Sequence, residues 1–499
     1  MKRVAAAVAA AALVLPGCSL LPKKSVQEGV SPGPEQPWAP PAAGKMPEPV
    51  EPAKALEVPA EYMKPGATVS LGELVDFALR NNPVTRQSWF QARAAASEVG
   101  SKRSLYFPYA EVDGSIQRQK TAAVGGRFTF LQTTYGPSVA ASWLLFNFGG
   151  REAEVQEATR ALYAADWTHN AAIQSVVLSV AQAYYQYLNA KAQVAAQKAS
   201  LEEAKRNLEA AEERHRAGVA TIADVLQAKT QASQVELALQ TAQGQVLVVR
   251  GSLATAIGLS ATVPVDVGEL PTELPLDLVK SSVDQLIARA EAERPDLAAE
   301  RFRALAAQSH ILAAAVDGLP SLSIGASGNR TFYHQPNVAD PFSTNWSGLI
   351  SLRIPIFRGF DTAYKVQQAK DEAEAAKASA KLVEDQVVLD VWASYYAMQT
   401  AAQRVLTTRD LLASATQAAE VNDGRYRAGV GSILDLLSAQ AALANARSEE
   451  AQARSIWFLA VAQLAYATGV LQPGAPEIRS LPTRGYPGAE SPPDTKGNP

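Results

Sequence analysis

Hydrophobic residues change period twice along this chain, and the changes occur in the same order in both halves. From about Ser70 to Arg103 the apolar positions recur at helical spacing. Ser70 and Glu73 have the spacing of a capping box, the serine accepting from a backbone amide and the glutamate reaching back. Asn82-Pro83 interrupts the run, because a residue before proline is driven out of the helical region, so two helices are expected here. The period then becomes two. Ala110, Val112, Gly114 and Ile116 alternate with Glu111, Asp113, Ser115 and Gln117. Val139, Ala141, Trp143 and Leu145 likewise fall on one face. In the second half Leu322, Ile324, Ala326 and Gly328 alternate with Ser321, Ser323, Gly325 and Ser327. Trp346, Gly348, Ile350, Leu352 and Ile354 lie opposite Ser347, Ser351 and Arg353. The pattern predicts four strands, at roughly 105–118, 137–148, 319–332 and 346–357, separated by long loops at 119–135 and 329–345.

Helical spacing returns after each strand pair. Arg151 to Glu213 holds neither proline nor glycine, which permits one helix of roughly 95 Å. Val194, Leu201 and Leu208 recur every seven residues with Ala204 and Ala211 between them, a coiled-coil seam. Ala217-Gly218 ends the helix, and Thr221 starts a second that runs to about Ile257. The other half repeats this plan over Asp361–Tyr426, a turn at Gly429, and Ser432 to about Thr468. The expected divisions are a first repeat at 67–258 with its helical hairpin at 151–258, and a collar at 259–291. A second repeat follows at 292–468 with its hairpin at 361–468, then a closing segment at 469–499 whose far end is disordered.

The repetition extends to individual residues. Arg214-His-Arg-Ala-Gly-Val-Ala-Thr-Ile-Ala-Asp224 returns 211 positions later as Arg425-Tyr-Arg-Ala-Gly-Val-Gly-Ser-Ile-Leu-Asp435. The same offset pairs Tyr184-Tyr185 with Tyr395-Tyr396, and an offset of 212 pairs Pro83 with Pro295, Pro108 with Pro320 and Arg118 with Arg330. The 499 residues alone would suggest about three domains, but the duplication overrides that expectation.

Strand alternation by itself fits a half-buried antiparallel sheet in a soluble domain equally well. Two further features favour a membrane. The strand pairs interrupt very long helices and lack a helical face to pack on, and the runs approach the ~9–11 residues that cross a tilted bilayer span. Strands in lipid must have every backbone group paired, so the sheet must close on itself. Four strands are too few for a barrel, since single-chain barrels begin at about eight. Several copies must therefore pool their strands around a polar lumen, and three would supply twelve.

Composition sharpens this picture. A formal net charge of −3 provides no global basic field for nucleic acid, and abundant alanine suits closely packed helices. At the start, Lys2-Arg3 precede an apolar run, Ala5 to Leu15, too short to anchor as a bilayer span. It ends in Leu15-Pro16-Gly17-Cys18, which has the form of a bacterial lipobox, so a signal peptide at 1–17 and lipid attachment at Cys18 are expected. The alternative is a plain secretory peptide with an incidental cysteine. That Cys18 is the sole cysteine of the chain favours the lipobox, and it leaves the fold without an internal disulfide. By resemblance to the sorting patterns of such lipoproteins, Ser19 after it favours the outer membrane. The Pro- and Lys-rich stretch that follows, to residue 66, reads as a flexible tether.

Candidate chemistry is sparse. His169, His215, His310 and His334 are dispersed, with neither metal-ligand nor triad spacing, and His169 and His310 read as surface or seam residues. Gly149-Gly150 and Gly359 mark bends where strand becomes helix. The tyrosine pairs fit core packing better than a stacking surface. No catalytic, cofactor or metal site is expected. The duplicated turn is the exception. Helix-end electrostatics account for its charges, with arginine near the C-terminal carbonyls and aspartate in the next first turn. The detailed repetition favours an added role at a tip or partner contact.

At this point the sequence resembles the TolC-like outer membrane factor family, in its lipoprotein branch, over roughly residues 60–472. The resemblance rests on the lipobox, the duplicated plan, Leu144-Leu-Phe-Asn-Phe-Gly-Gly150, Pro355-Ile-Phe-Arg-Gly359 and the Arg-x-Arg-Ala-Gly-Val turns. It implies a mainly α fold with a small transmembrane β part. In that fold a homotrimer forms a twelve-stranded β-barrel in outer-membrane lipid and an α-helical barrel in the periplasm. It further implies a passive exit duct for efflux or type I secretion, driven by an inner-membrane pump of RND or ABC type through a periplasmic adaptor. The turns Arg216, Gly218, Val219, Gly429 and Val430 would meet the adaptor. Asp435 would line the closed aperture, with Tyr426 and Asp224 holding it shut. The family's basic residue two places after the second glycine is Gly431 here, and a second acidic position is Ser438, so the gate would be tied through Arg425 or Arg427. The rival readings are a pore-less periplasmic coiled-coil scaffold lipoprotein and, more weakly, an anchored hydrolase.

Overall fold

A computed structural model describes residues 31, 33–36, 69–123, 125, 127–271, 274–276, 281–334 and 341–471. The signal peptide, Cys18, most of the tether and the far end of the closing segment lie outside the described residues.

The elements follow the duplicated order. Helices α1 (Leu71–Asn81) and α2 (Pro83–Arg103) precede strands β1 (Tyr109–Ala123) and β2 (Phe128–Phe146). Helices α3 (Gly150–Arg216) and α4 (Ile222–Ala256) complete the first copy. The second consists of α5 (Val283–Glu293), α6 (Pro295–Val316), β3 (Ser321–His334), β4 (Phe342–Arg353), α7 (Asp361–Arg427) and α8 (Ile433–Ala467). The corresponding long helices have equal lengths: α3 and α7 are 67 residues, about 100 Å, and α4 and α8 are 35. Helix α5 occupies the end of the segment expected to be collar. Its capping box, Ser282 with Gln285, reproduces that of Ser70 with Glu73, and Pro83 and Pro295 each open the following helix.

Strand β2 begins well before its expected start, β1 and β3 end later than expected and β4 begins earlier, so the expected long loops at 119–135 and 329–345 are largely strand. Beyond the apolar stretch the alternation fades, yet threonines and tyrosines such as Thr121, Thr133, Thr134 and Tyr333 continue the ladder. Among the described residues the four strands form one antiparallel sheet in the order β1-β2-β3-β4, so the two copies pair with each other at β2–β3.

The chain divides into two compact units that cut across the duplication. The first collects the described residues within 31–36, 84–172 and 295–386, and the second those within 69–83, 173–294 and 387–471. Like elements from both copies pack together, which is why each unit takes a piece of each repeat. The first unit contains the sheet. It also holds a small apolar cluster in which Trp89, Ala92, Ala96 and Val99 of α2 pack on Ala158 and Leu162 of α3. The second contains the largest core, with Leu74, Ile173, Val180, Leu188, Leu253, Val265 and Val267 fully buried. Val69 bridges to Val267 in that core. The heptad seam is present in the second unit. Leu201, Ala204 and Leu208 of α3 pack against Ala232, Val235 and Leu239 of α4.

Three expectations are corrected by burial. His169 is fully buried rather than a surface or seam residue. Tyr185 stacks on Phe458 in the core, with ring centroids 4.8 Å apart, whereas Tyr396 is exposed beside Trp392, so core packing holds for the first tyrosine pair only. The expected tether includes a docked stretch. The Trp89 Nε1–H donates to the Ser31 carbonyl (2.7 Å), and the Ser31 hydroxyl donates to the carbonyls of Gly33 and Gln36.

Candidate functional site

Register decides what the sheet can do. Across its four strands the rows Val112–Val139–Gly328–Trp346 and Ala110–Ala141–Ala326–Gly348 fall on one face, joined by Trp143–Ile324–Ile350. A bulge at Leu145 shifts the register, so Phe146, not Leu145, ends the apolar run opposite Leu322 and Leu352. The other face carries Glu111, Asp113, Ser138, Ser327, Asn329, Asn345 and Ser347. On the apolar face Val112 is 73%, Ile350 70% and Trp346 87% exposed. Aromatic rings bound this band. At the turn end Tyr135 stacks on Phe332 (5.2 Å), which tilts against Phe342. At the helix end Phe146 meets Phe148, and Phe357 meets Phe360. Leu322 to Phe332 spans eleven residues of β3, about 33 Å of strand, or about 25 Å of depth at the usual tilt. That is the height of a bilayer's apolar band between aromatic girdles.

The junction between strand and helix is bent and braced in both copies. Phe148 (φ 52°) with Gly149, and Gly359 with Phe360 (φ 66°), adopt left-handed backbone there. The Arg151 guanidinium donates to the Leu144 and Leu145 carbonyls (2.7 and 2.9 Å), bracing the chain at the bulge. In the second copy Arg358 donates to the Asp317 carbonyl and carboxylate (2.9 and 2.8 Å).

The two duplicated turns have nearly the same geometry. Gly218 and Gly429 both lie at φ 78°. The Val219 N–H donates to the Arg214 carbonyl (2.9 Å) and the Val430 N–H to the Arg425 carbonyl (3.0 Å), closing a Schellman motif in each. Val219 and Val430 project from the turns, 65% and 71% exposed, and Arg216 is exposed beside the first. The helix starts differ. Thr221 and Asp224 form a complete capping box, in which the Asp224 carboxylate accepts from the Thr221 N–H (2.8 Å). At the second turn the Ser432 hydroxyl accepts from the Asp435 N–H (3.1 Å), but the exposed Asp435 carboxylate has no protein partner among the described residues.

The turns are tied by Arg214, which is not among the residues that the resemblance implies for the aperture. Arg214 lays its guanidinium 4.8 Å from the Tyr426 ring centroid and donates to the Tyr426 carbonyl (2.9 Å). Tyr426 is buried with Ala211, Ala228, Ile433, Leu436 and Leu437. Its hydroxyl is buried without a hydrogen-bond partner among the described residues, so the expected hold between Tyr426 and Asp224 is not a hydrogen bond here. Burial pushes that hydroxyl above its ordinary pKa, opposed by Arg214 and assisted by the charge of Asp224. Nor do the expected arginines tie the turns: Arg427 pairs with Asp423 on its own helix (2.9 Å), and the Arg425 side chain is exposed. The available signal was the pairing of Arg214 with an aromatic at the mirrored turn.

A buried polar pair on α3 also escaped the sequence reading. His169 Nδ1 bonds the Ser88 hydroxyl (2.8 Å) and Nε2 lies 3.2 Å from the Gln36 carbonyl. Burial holds its pKa down to about 4. One turn before it, Asp166 is fully buried and neither carboxyl oxygen has a partner among the described residues, and burial pushes its pKa up to about 8.

An exposed apolar face of bilayer height, a polar opposite face and two unpaired edge strands define a subunit of a membrane β-barrel. Residues 74–259 and 286–470 match the family model for outer membrane efflux proteins. The chain belongs to that family: it is an outer-membrane channel protein whose helices extend into the periplasm. It is 27% identical over 382 residues to Protein CyaE of Bordetella pertussis, covering 76% of this chain and 79% of that one. It is 26% identical over 376 residues to the outer membrane protein OprJ of Pseudomonas aeruginosa, covering 74% and 78%. The crystal structure of the outer membrane protein VceC from Vibrio cholerae superposes with a TM-score of 0.71 at 22% identity, covering 80% of this chain and 96% of that one, a likeness of fold.

Proposed function

We propose that the protein is the exit duct of a tripartite efflux or type I secretion assembly, a homotrimer that conducts passively while an inner-membrane pump supplies the energy. The observation that carries this reading is the open four-stranded sheet. With β1 and β4 each offering an unpaired edge and one face apolar, it cannot rest in lipid until other copies complete the ring. Twelve strands enclose a lumen lined by Glu111, Asp113, the serines and the asparagines. The exposed turns Arg216, Gly218, Val219, Gly429 and Val430 serve as the contact for a periplasmic adaptor, and Cys18 carries the lipid anchor.

In this reading Asp435 forms an acidic ring at the periplasmic aperture. Its carboxylate is not committed to a cap, unlike that of Asp224, so its charge acts on the ions that pass. The test is reconstitution of the purified protein in planar bilayers, with heat-resistant trimers followed by electrophoresis. Wild type conducts with cation selectivity, and Asp435→Asn conducts with a reversal potential in asymmetric salt moved toward zero. A stable monomer in detergent that passes no ions would overturn the duct. An unchanged reversal potential would remove Asp435 from the aperture.

A further inference from the structure

We propose that Arg118, Lys120 and Arg330 form a binding surface for the phosphates of anionic lipid headgroups in the outer leaflet. The inference rests on the lipid-facing reading of the sheet and is independent of pump or adaptor. All three residues belong to the apolar face by register. Arg118 and Lys120 continue the alternation Ala110, Val112, Gly114, Ile116 on β1, and Arg330 continues Leu322, Ile324, Ala326, Gly328 on β3. All three lie toward the hairpin-turn end, and since the helices run into the periplasm, that end faces the outer surface.

Position and orientation then select the ligand. Arg118 and Lys120 lie beyond Ile116, whose row contains Tyr135, Phe332 and Phe342. Arg330 begins one row nearer the band, but its guanidinium sits 3.9 Å from the Phe342 ring centroid and 5.6 Å from that of Phe332. Its side chain therefore reaches outward over the aromatic row, as a cation does when it snorkels toward headgroups. Among the described residues this face holds no carboxylate, the acids Glu111 and Asp113 being on the opposite face. The arginines at the helix end differ, because Arg151 is committed to backbone carbonyls and Arg358 to Asp317. The outer cations have no carboxylate partner among the described residues. The guanidinium fork matches phosphate oxygens, and a charge near lipid is satisfied most readily by an anion of the lipid itself. Arg118 and Arg330 occupy equivalent positions in the two copies, so each hairpin presents one.

The experiment uses the full-length protein purified in neutral detergent and titrated with bisphosphorylated lipid A. Bound lipid is read by native mass spectrometry and the thermal midpoint of the assembly is followed in parallel. Wild type is expected to retain the lipid and gain thermal stability, both weakening with added salt. Arg118→Gln/Lys120→Gln/Arg330→Gln is expected to bind about tenfold more weakly or worse while its conductance is unchanged. Dephosphorylated lipid and inorganic phosphate are expected to give no gain. Arg118→Lys/Arg330→Lys keeps the charge and is expected to keep most of the binding. If the triple variant fails to assemble, Arg118→Gln and Arg330→Gln are read singly, each expected to weaken binding severalfold. Equal lipid binding by the glutamine variants and wild type overturns the proposal. So does equal stabilisation by inorganic phosphate, which would make the site one for free anions. Loss of conductance with lipid binding intact would count against the duct and leave this surface standing.

Discussion

Arg214 and Tyr426 come from different copies of the repeat, and their contact makes one structure of two turns. The ring of Tyr426 is sealed among aliphatic side chains while the guanidinium of Arg214 covers it and holds its carbonyl. A half-buried cation–π contact is worth about 0.5–2 kcal/mol, and a hydrogen bond from a charged donor about 1.5–3. The hydroxyl contributes no bond. Arg214→Gln is therefore expected to loosen the paired turns and raise single-channel conductance or leak. Tyr426→Phe is expected to leave conductance close to wild type. Opening by Tyr426→Phe, with Arg214→Gln silent, would return the latch to the tyrosine hydroxyl. Sequence matching identified Tyr426 and Asp224, but it could not show that the Asp224 carboxylate is engaged by its own helix start. That depends on backbone geometry at Thr221.

Within α3, burial of Asp166 and His169 sets up opposing pH effects. Asp166 keeps its proton in the folded state up to about pH 8, whereas an unfolded aspartate loses it near 3.8. Its contribution to stability is thus present at low pH and is lost progressively as pH rises from about 4 to 8. His169 resists protonation down to about pH 4, against 6.5 unfolded, so its contribution is lost as pH falls from 6.5 to 4. The two slopes cancel between about 4 and 6.5, and from 6.5 to 8 only Asp166 acts. Local stability around α2 and α3 is expected to fall over that upper window by up to about 1.4 kcal/mol per pH unit. Asp166→Asn is expected to flatten it, as read by hydrogen exchange of the α2–α3 amides. An identical pH profile in the variant would show that the carboxyl titrates elsewhere. Nothing in the local sequence announces this pair. The helix around it is alanine-rich, and the partners of His169 are distant in sequence, Ser88 of α2 and the Gln36 carbonyl.

At the scale of the molecule, the two faces of the sheet should tolerate charge very differently. Ile350 lies within the apolar band and Ser327 on the opposite face. Ile350→Arg places a charge inside the apolar band, one row from its helix-end edge, at a cost below the about 2–4 kcal/mol of the midplane, and is expected to reduce heat-resistant assemblies in membranes. Ser327→Arg faces the lumen and is expected to assemble normally while altering conductance. Equal assembly of the two variants would contradict the assignment of the faces. Sequence alone determined the duplication, the helix starts and stops, the alternation of the strands and the turns at Gly218 and Gly429. Each of these depends on periodicity or on the conformational demands of a few neighbouring residues. Tertiary structure decided the rest. It set the β2–β3 pairing that joins the copies, the bulge that brings Phe146 rather than Leu145 into the apolar row, the reach of Arg214 to Tyr426 and the burial of His169. These depend on which residues distant in sequence meet in space, and a one-residue shift in register or a single helix rotation would change every one of them without altering a local pattern.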